Sequence, residues 1–522
     1  MILEFENGFI PEHLFLELGF QPYLEQFKQE IPVLSRQILR PLEFAEATAH
    51  FGRLAQLQRY ADDGHLDLKA VMRCARELPN LESLLPLLQG GQLESFHLFE
   101  LGHYLQQNQG LQNLETAVTL PCRKDPCPKI LKILLRYTRG DFSSLKLSGA
   151  ETDLRDSLNL LSRQLDSELS AYEQEILDQT GVRFIYPYPK EIGKDDKHLQ
   201  KLLQSNLLNL VDKGDVYLAD YRLVERIKQL LRDKASRQLK WRTLMKTRLN
   251  SINDALRDFH QPLADYYRQR KERIFQYLLL SAAKAGNLTL PELTPESQIQ
   301  VTKGILPLLK QHEGKRYMPL NLSLKSGANV LFGANMTGKT TVLKTLYFQL
   351  VLVKFGLPVP AQRLVSLVPE DLGLHLRSSG KATSGLSGFG EELRFFCDMN
   401  PDSSVYMVDE LFHSTDPVNG VELTDAFLRA LSENNSIFIC TTHYQEVLEI
   451  SGIQLLRMKD VEPSRQLSNL DRFLKKVPYE VESLTPETAK NKIENNRTPI
   501  QIALQFPLPG AILNNLNQKL EQ

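Results

Sequence analysis

Gly333-Ala-Asn335-Met336-Thr337-Gly338-Lys339-Thr340-Thr341 has the spacing G-x-x-x-x-G-K-[ST]. It follows an apolar run, Ala328–Phe332, read as a strand, and precedes a run read as a helix, Val342–Phe355. In that context the glycines let the backbone curl around a phosphate, and successive N–H groups at a helix N-terminus present partial positive charge to it. Lys339 is placed to reach the outer phosphates of a nucleoside triphosphate, and the Thr340 hydroxyl to hold Mg²⁺. About 70 residues on, Val405-Tyr-Met-Val408 reads as a buried strand that ends in Asp409-Glu410. After a phosphate loop, such a strand supplies a carboxylate for the metal, Asp409, and one to orient or deprotonate the attacking water, Glu410. A third apolar run, Ser436–Cys440, ends in Thr441-Thr442-His443, which places His443 as a γ-phosphate sensor. Between these segments, Ser384-Gly-Leu-Ser387-Gly-Phe389-Gly-Glu-Glu392 is a Gly/Ser loop opening a helix, a second potential anion site.

The elements that position these groups read as an α/β P-loop domain in the C-terminal half, behind a largely helical region. Residues 1–150 read as short helices without a chemical motif. In 151–290, Leu154, Leu158, Leu161, Leu165, Leu169, Tyr172 and Ile176 form one apolar stripe, with Gly181 as its stop. After the loop-rich Tyr186–Pro189, helical pattern resumes from about Asp220 to Ala285, with Pro262 as its expected break. Two long helices flanking a small insert, with no strand expected among them, suggest a projecting arm. Gly286–Pro295 reads as a linker, 291–460 as the P-loop domain, and 461–522 as a polar helical segment suited to dimerisation.

The chain has 522 residues and a net charge of −1, so it is not a polycation, and any nucleic-acid surface must be local. Residues 222–248 carry ten cations and two acids, with the only tryptophan, Trp241, among them. A phosphate-contacting arm has this composition, and so does a solvated helix face. Five cysteines point to a reducing compartment; Cys122 and Cys127 lack the second pair that a metal site needs. The N-terminus lacks signal-peptide character and no apolar run is long enough to span a bilayer, which suggests a cytoplasmic protein without membrane association.

The phosphate loop, with its Asn335-Met336 pair, resembles that of the MutS family. So do Gly356-Leu-Pro-Val-Pro-Ala361, Ser387-Gly-Phe389-Gly-Glu-Glu392 beside the family's S-T-F-x-x-E, the pair Asp409-Glu410, and Thr442-His443-Tyr444. Ile502-Ala-Leu504, Leu508-Pro509 and Ile512-Leu513 are similar to the family's closing helix pair. The resemblance implies an ATP- and Mg²⁺-dependent ATPase with an α/β P-loop domain of ABC type, homodimeric or paired with a MutS-like paralogue, in which Ser387 contacts the nucleotide held by the partner's phosphate loop and ATP closes the dimer and moves the levers. It places Gly333, Asn335, Met336, Thr337, Gly338, Lys339, Thr340, Thr341 and Ser387 on nucleotide, Thr340 and Asp409 on metal, and Glu410 and His443 in catalysis. Two departures stand out. Leu411-Phe-His-Ser-Thr415 replaces the family's Gly-Arg-Gly-Thr run, and Gly388 replaces its signature Thr, which implies altered contacts near the γ-phosphate and slow turnover.

Phe15-Leu-Glu17 and Phe44-Ala-Glu46 lack the Gly-rich strand context of the family's mismatch wedge, so a truncated member without mismatch recognition is expected. A tail of the Smr nuclease type is not expected either. Three functions follow from the resemblance: a clamp on duplex or branched DNA; a protein-remodelling ATPase; and an RNA- or ribosome-binding ATPase. For the second, Gly-Leu-Ser-x-Phe-Gly and Thr415-Asp-Pro417-Val-Asn-Gly420 are similar to reactivating factors of adenosylcobalamin-dependent aminomutases, which implies an aminomutase partner.

Overall fold

The structure is a computed structural model, and it describes residues 2–6, 8–116, 118, 125–310, 318–333, 337–376, 388–400, 403–459, 480–485, 487–490, 512–513 and 518. The chain divides into two compact units, one of residues 1–78, 109–121 and 270–522, the other of residues 79–108 and 122–269. These units cut across the boundaries near 150 and 290 read from the sequence.

The first unit is built on a six-stranded sheet in the order Leu372–His375, Val405–Val408, Ile437–Thr441, Gly327–Phe332, Gln454–Met458, Val481–Leu484. The first five strands run parallel and the last antiparallel. Burial on both faces explains why Gly327–Phe332, Val405–Val408 and Ile437–Thr441 are apolar throughout rather than alternating. Val481–Leu484 corrects the reading of the last segment as helix only: it pairs antiparallel with Gln454–Met458 as the edge strand of the sheet. The closing-helix motifs before Ile512 lie outside the described residues. Beside this sheet, a four-stranded one runs Glu292–Leu293, Arg363–Ser366, Gln298–Gly304, Leu320–Lys325. The supposed linker is therefore tied down. Glu292–Leu293 is a strand, and the Thr289 N–H and hydroxyl donate to the Val359 and Ala361 carbonyls at 2.9 and 2.7 Å.

The helix Lys339–Lys354 has thirteen buried residues, nine of them apolar. One side faces the strands, and residues near the N-terminus cover the other. The Phe20 ring stacks on Phe348 at 4.6 Å, Phe5 lies 4.5 Å from Phe355, and the Tyr23 hydroxyl donates to the Pro358 carbonyl. Each such ring contributes on the order of 2 kcal/mol through burial, so the first thirty residues are part of this unit's core. Besides their helices they supply the strand Ile2–Phe5, which pairs in parallel with Arg36–Leu39.

The second unit contains the long helices Gly149–Thr180 and Glu225–Arg257. Ser148 and Glu151 form a capping box at the start of the first, and Gly181 closes it with φ 75°. The apolar stripe packs on the insert: Leu165, Tyr172 and Ile176 meet Phe184, Ile192, Ala219 and Tyr221. The Tyr172 hydroxyl lies 3.0 Å from the Leu207 carbonyl and 2.6 Å from that of Arg222. The insert is not strand-free. Lys190–Gly193, Val216–Tyr221 and Leu208–Asp212 form an antiparallel sheet in that order. The helical pattern breaks at Asp258-Phe259, not at Pro262, which sits in the first turn of His260–Gly286, where its missing N–H is tolerated. Among the described residues no helix is long and apolar enough to cross a membrane.

Candidate nucleotide site

The site forms at the carboxyl ends of Gly327–Phe332, Val405–Val408 and Ile437–Thr441, where open parallel sheets bind their ligands. Gly338, at φ 99°, occupies the N-cap of the helix Lys339–Lys354, a conformation that side-chain-bearing residues resist, and it turns the loop into the helix. Lys339 is 5 % exposed, and its Nζ donates to the Gly333 carbonyl at 2.6 Å, across the loop. Burial pushes the ammonium down to about 8, against the opposing pull of Glu410 and Asp409. Such a cation gains from an anionic ligand more than a solvated lysine does.

The Thr340 hydroxyl donates to Asp409 Oδ2 at 2.6 Å, joining the phosphate loop to the acidic strand. Hydroxyl and carboxylate are hard oxygen donors of the kind Mg²⁺ takes from a protein, one or two at a time alongside phosphates and water. The residues therefore fit the ion. Asp409 Oδ1 accepts from the Thr441 hydroxyl at 2.8 Å, and that hydroxyl accepts from the Glu410 N–H at 2.7 Å. Thr441, fully buried, thus fixes the metal-type carboxylate and the backbone of the next residue. Glu410 has φ 58°, an uncommon conformation outside glycine that aims its side chain across the strand ends. His443 Nε2 lies 3.5 Å from Glu410 Oε1. Burial and the charge of Lys339 lower the imidazole, with Glu410 opposing, so the ring is neutral near pH 7.

The structure brings together Gly333, Thr337, Gly338, Lys339, Thr340, Thr341, Asp409, Glu410 and His443. Asn335, Met336 and Ser387 lie outside the described residues. Sequence reasoning passed over Thr441, although it stands in the Thr-Thr-His run, because nothing local shows that it bridges two strands. It also passed over His375, whose carbonyl accepts the Asp409 N–H at 2.9 Å, and whose strand carries no motif.

The Thr415–Gly420 stretch has a packing role. Asp416 caps the helix Pro417–Ser432 through the Asn419 N–H at 3.1 Å. A Cβ on Gly420 would fall 2.2 Å from the Tyr444 hydroxyl, so only glycine lets that helix lie against Tyr444.

The basic stretch lies on the helix Glu225–Arg257, whose fully buried residues are Ile227, Ile252, Asn253 and Leu256. Arg226 pairs with Glu168 at 2.6 Å, Arg232 with Glu225 at 3.0 Å, and Arg248 with Glu151 at 2.5 Å. Lys234, Arg237, Lys240, Arg242 and Lys246 make no ion pair among the described residues, and the last three are exposed.

Residues 329–518 match the family model described as MutS domain V. The chain is 27 % identical over 205 residues to a protein named Endonuclease MutS2 from Agathobacter rectalis, covering 38 % of this chain and 26 % of that protein. It is 32 % identical over 190 residues to the Endonuclease MutS2 of Lactococcus lactis, covering 35 % and 24 %. With that of Caldicellulosiruptor saccharolyticus it shares 24 % identity over 311 residues, 57 % and 37 % of the two chains. The chain thus spans about a quarter to two fifths of the length of these relatives.

Proposed function

The chain belongs to the MutS family, and we propose that it binds and hydrolyses Mg-ATP and couples its nucleotide state to clamping of DNA. The observation that carries the hydrolytic reading is the 2.6 Å bond from Thr340 to Asp409, which joins the phosphate loop to the acidic strand. Lys339 and the N-terminus of its helix would hold the outer phosphates. Thr340 and Asp409 would hold Mg²⁺, which when bound neutralises charge developing on the phosphates. Glu410 would orient water for attack on the γ-phosphorus and take its proton, and the bond from its N–H to Thr441 fixes the backbone that carries it. The neutral His443 can donate to the γ-phosphate oxygens, which makes it sensitive to whether that group is present.

A composite site in a dimer, with Ser387 completing the partner's pocket, follows from the family pattern and belongs to this proposal. So does DNA as the coupled substrate, supported by the five cations of 234–246 that lack an ion pair among the described residues. The Thr415–Gly420 stretch that suggests aminomutase reactivation is accounted for by packing against Tyr444 and lends that reading no separate support. The nuclease activity in the relatives' names stays with those proteins.

The test is the ATPase rate of wild type and Lys339→Ala, alone and with duplex, branched and single-stranded DNA. Lys339-dependent turnover that DNA stimulates, with binding that weakens steeply as salt rises, is expected. Turnover indifferent to every DNA, with no salt-dependent binding, overturns the DNA half. Equal rates in the two proteins overturn the assignment of the site.

A further inference from the structure

Phe412, two residues beyond Glu410, has both backbone polar groups taken up by side chains from other segments. Its N–H donates to Glu392 Oε1 at 2.7 Å, and its carbonyl accepts from the Tyr444 hydroxyl at 3.2 Å. Phe412 has φ 50° and Glu410 has φ 58°. Two non-glycine residues in the left-handed region, so close together, persist only where the surroundings over-determine the turn. The Leu411 N–H adds a third tie, to the Thr441 carbonyl at 2.9 Å.

The fully buried Phe412 ring packs between helices. Its centroid lies 6.3 Å from Phe389 and 5.4 Å from Phe396, both on the helix Gly388–Cys397, and 4.9 Å from Phe427 on Pro417–Ser432. Glu392 is on that first helix and is 2 % exposed, with its carboxyl pushed up to about 7 by burial. Among the described residues its one hydrogen bond is to the Phe412 N–H. A leucine or methionine would fill this space without the cost of burying a carboxyl, so what the carboxyl adds is the grip on Phe412. The helix begins at Gly388, where a Cβ would stand 3.0 Å from Ser414 Oγ. The two places where the sequence departs from the family pattern, Gly388 and the segment 411–415, therefore touch each other.

We propose that Glu392 is a positioning residue that latches the helix Gly388–Cys397 to the turn carrying Glu410, so that a displacement of this helix moves the Glu410 carboxylate of the same chain. Resting on the ATPase reading, the latch regulates that site. The position of the helix sets the rate at which this chain's own nucleotide is hydrolysed, without altering how tightly it is held.

The experiment compares Glu392→Met, which keeps the bulk and removes the acceptor, with Glu392→Gln, which keeps the acceptor. It measures kcat, KM for ATP and hydrogen exchange at the Phe412 amide. Glu392→Met is expected to lower kcat about 10- to 100-fold, the scale of a catalytic group displaced by roughly 1 Å. KM should hold steady, exchange at Phe412 should accelerate, and Glu392→Gln should behave as wild type in all three. An unchanged kcat in Glu392→Met, a loss confined to KM, or equal losses in both variants overturns the latch. If Glu392→Met does not fold, Glu392→Asp retracts the acceptor by one methylene and should show a smaller kcat loss of the same pattern; wild-type kcat there overturns it too. A wild type without ATPase activity defeats the ATPase reading, and the Phe412 amide then decides the latch separately, since unchanged exchange in Glu392→Met contradicts it.

Discussion

The phosphate-loop site and the helix Glu225–Arg257 both present positive charge suited to a polyanion, in opposite physical states. In the first, each charged group is already engaged: Lys339 with the Gly333 carbonyl, Asp409 with Thr340 and Thr441, and Glu410 with His443. Burial removes water, and the remaining polar contacts fix geometry to within a hydrogen bond. In the second, Lys240, Arg242 and Lys246 stand in solvent on a helix with no fully buried residue between Ile227 and Ile252. The difference teaches what each can discriminate. The first can select a ligand by shape and drive chemistry. The second offers diffuse charge, which gives affinity that salt screens and little choice among sequences.

The sharpest way to break this comparison is at Glu410. Glu410→Gln removes a general base, and turnover should fall by roughly 10³-fold while ATP still binds and holds the chains together as a dimer on a sizing column. Retained turnover would show that the carboxylate is structural. Next in size, Lys339→Ala should weaken ATP about 100-fold in a fluorescent-nucleotide titration, since two charge-assisted bonds are lost. Reversing Lys234, Arg237, Lys240, Arg242 and Lys246 should weaken DNA about 30-fold, by a similar factor for every sequence, and flatten the salt dependence by about 0.9 per phosphate contact removed. Loss of ATP binding in that variant would erase the distinction between the two regions.

The smallest effect is one of pH. Lys339 sits at about 8 in the free protein, and a bound phosphate favours its ammonium form. ATP affinity should hold below that pH and weaken on going higher, by about tenfold per unit, until the pKa of the bound form is reached. Calorimetry across that range should show proton uptake on binding in wild type, and none from this source in Lys339→Ala.

These four differ in how far the sequence alone announces them. The phosphate loop is legible because its signature is local: Gly333 and Gly338–Thr340 fall at a strand end and a helix start, where the spacing puts them. The acidic strand and His443 are legible once that loop fixes the sheet edge they must reach. Thr441 and Glu392 are not, because each acts through a partner on another element: Thr441 through Asp409 and Glu410, and Glu392 through a backbone N–H twenty positions away. The three strands of the insert escape because they are only four to six residues long and bury only one or two residues each, which blurs their alternation. Pro262 misleads because the first turn of a helix needs no N–H there. The role of the first thirty residues escapes because Phe5, Phe20 and Tyr23 answer to a helix more than three hundred positions away.

Under the proposed function, Thr340, Asp409 and Glu410 form one hydrolytic centre with the phosphate loop. Single-turnover phosphate release from pre-bound ATP, with magnesium present and then chelated, tests it most directly. Release that requires magnesium, and that vanishes in Glu410→Gln although the nucleotide remains bound, is the predicted result. ATP that stays intact on the wild-type protein with magnesium present, or release that continues unchanged after chelation, contradicts it.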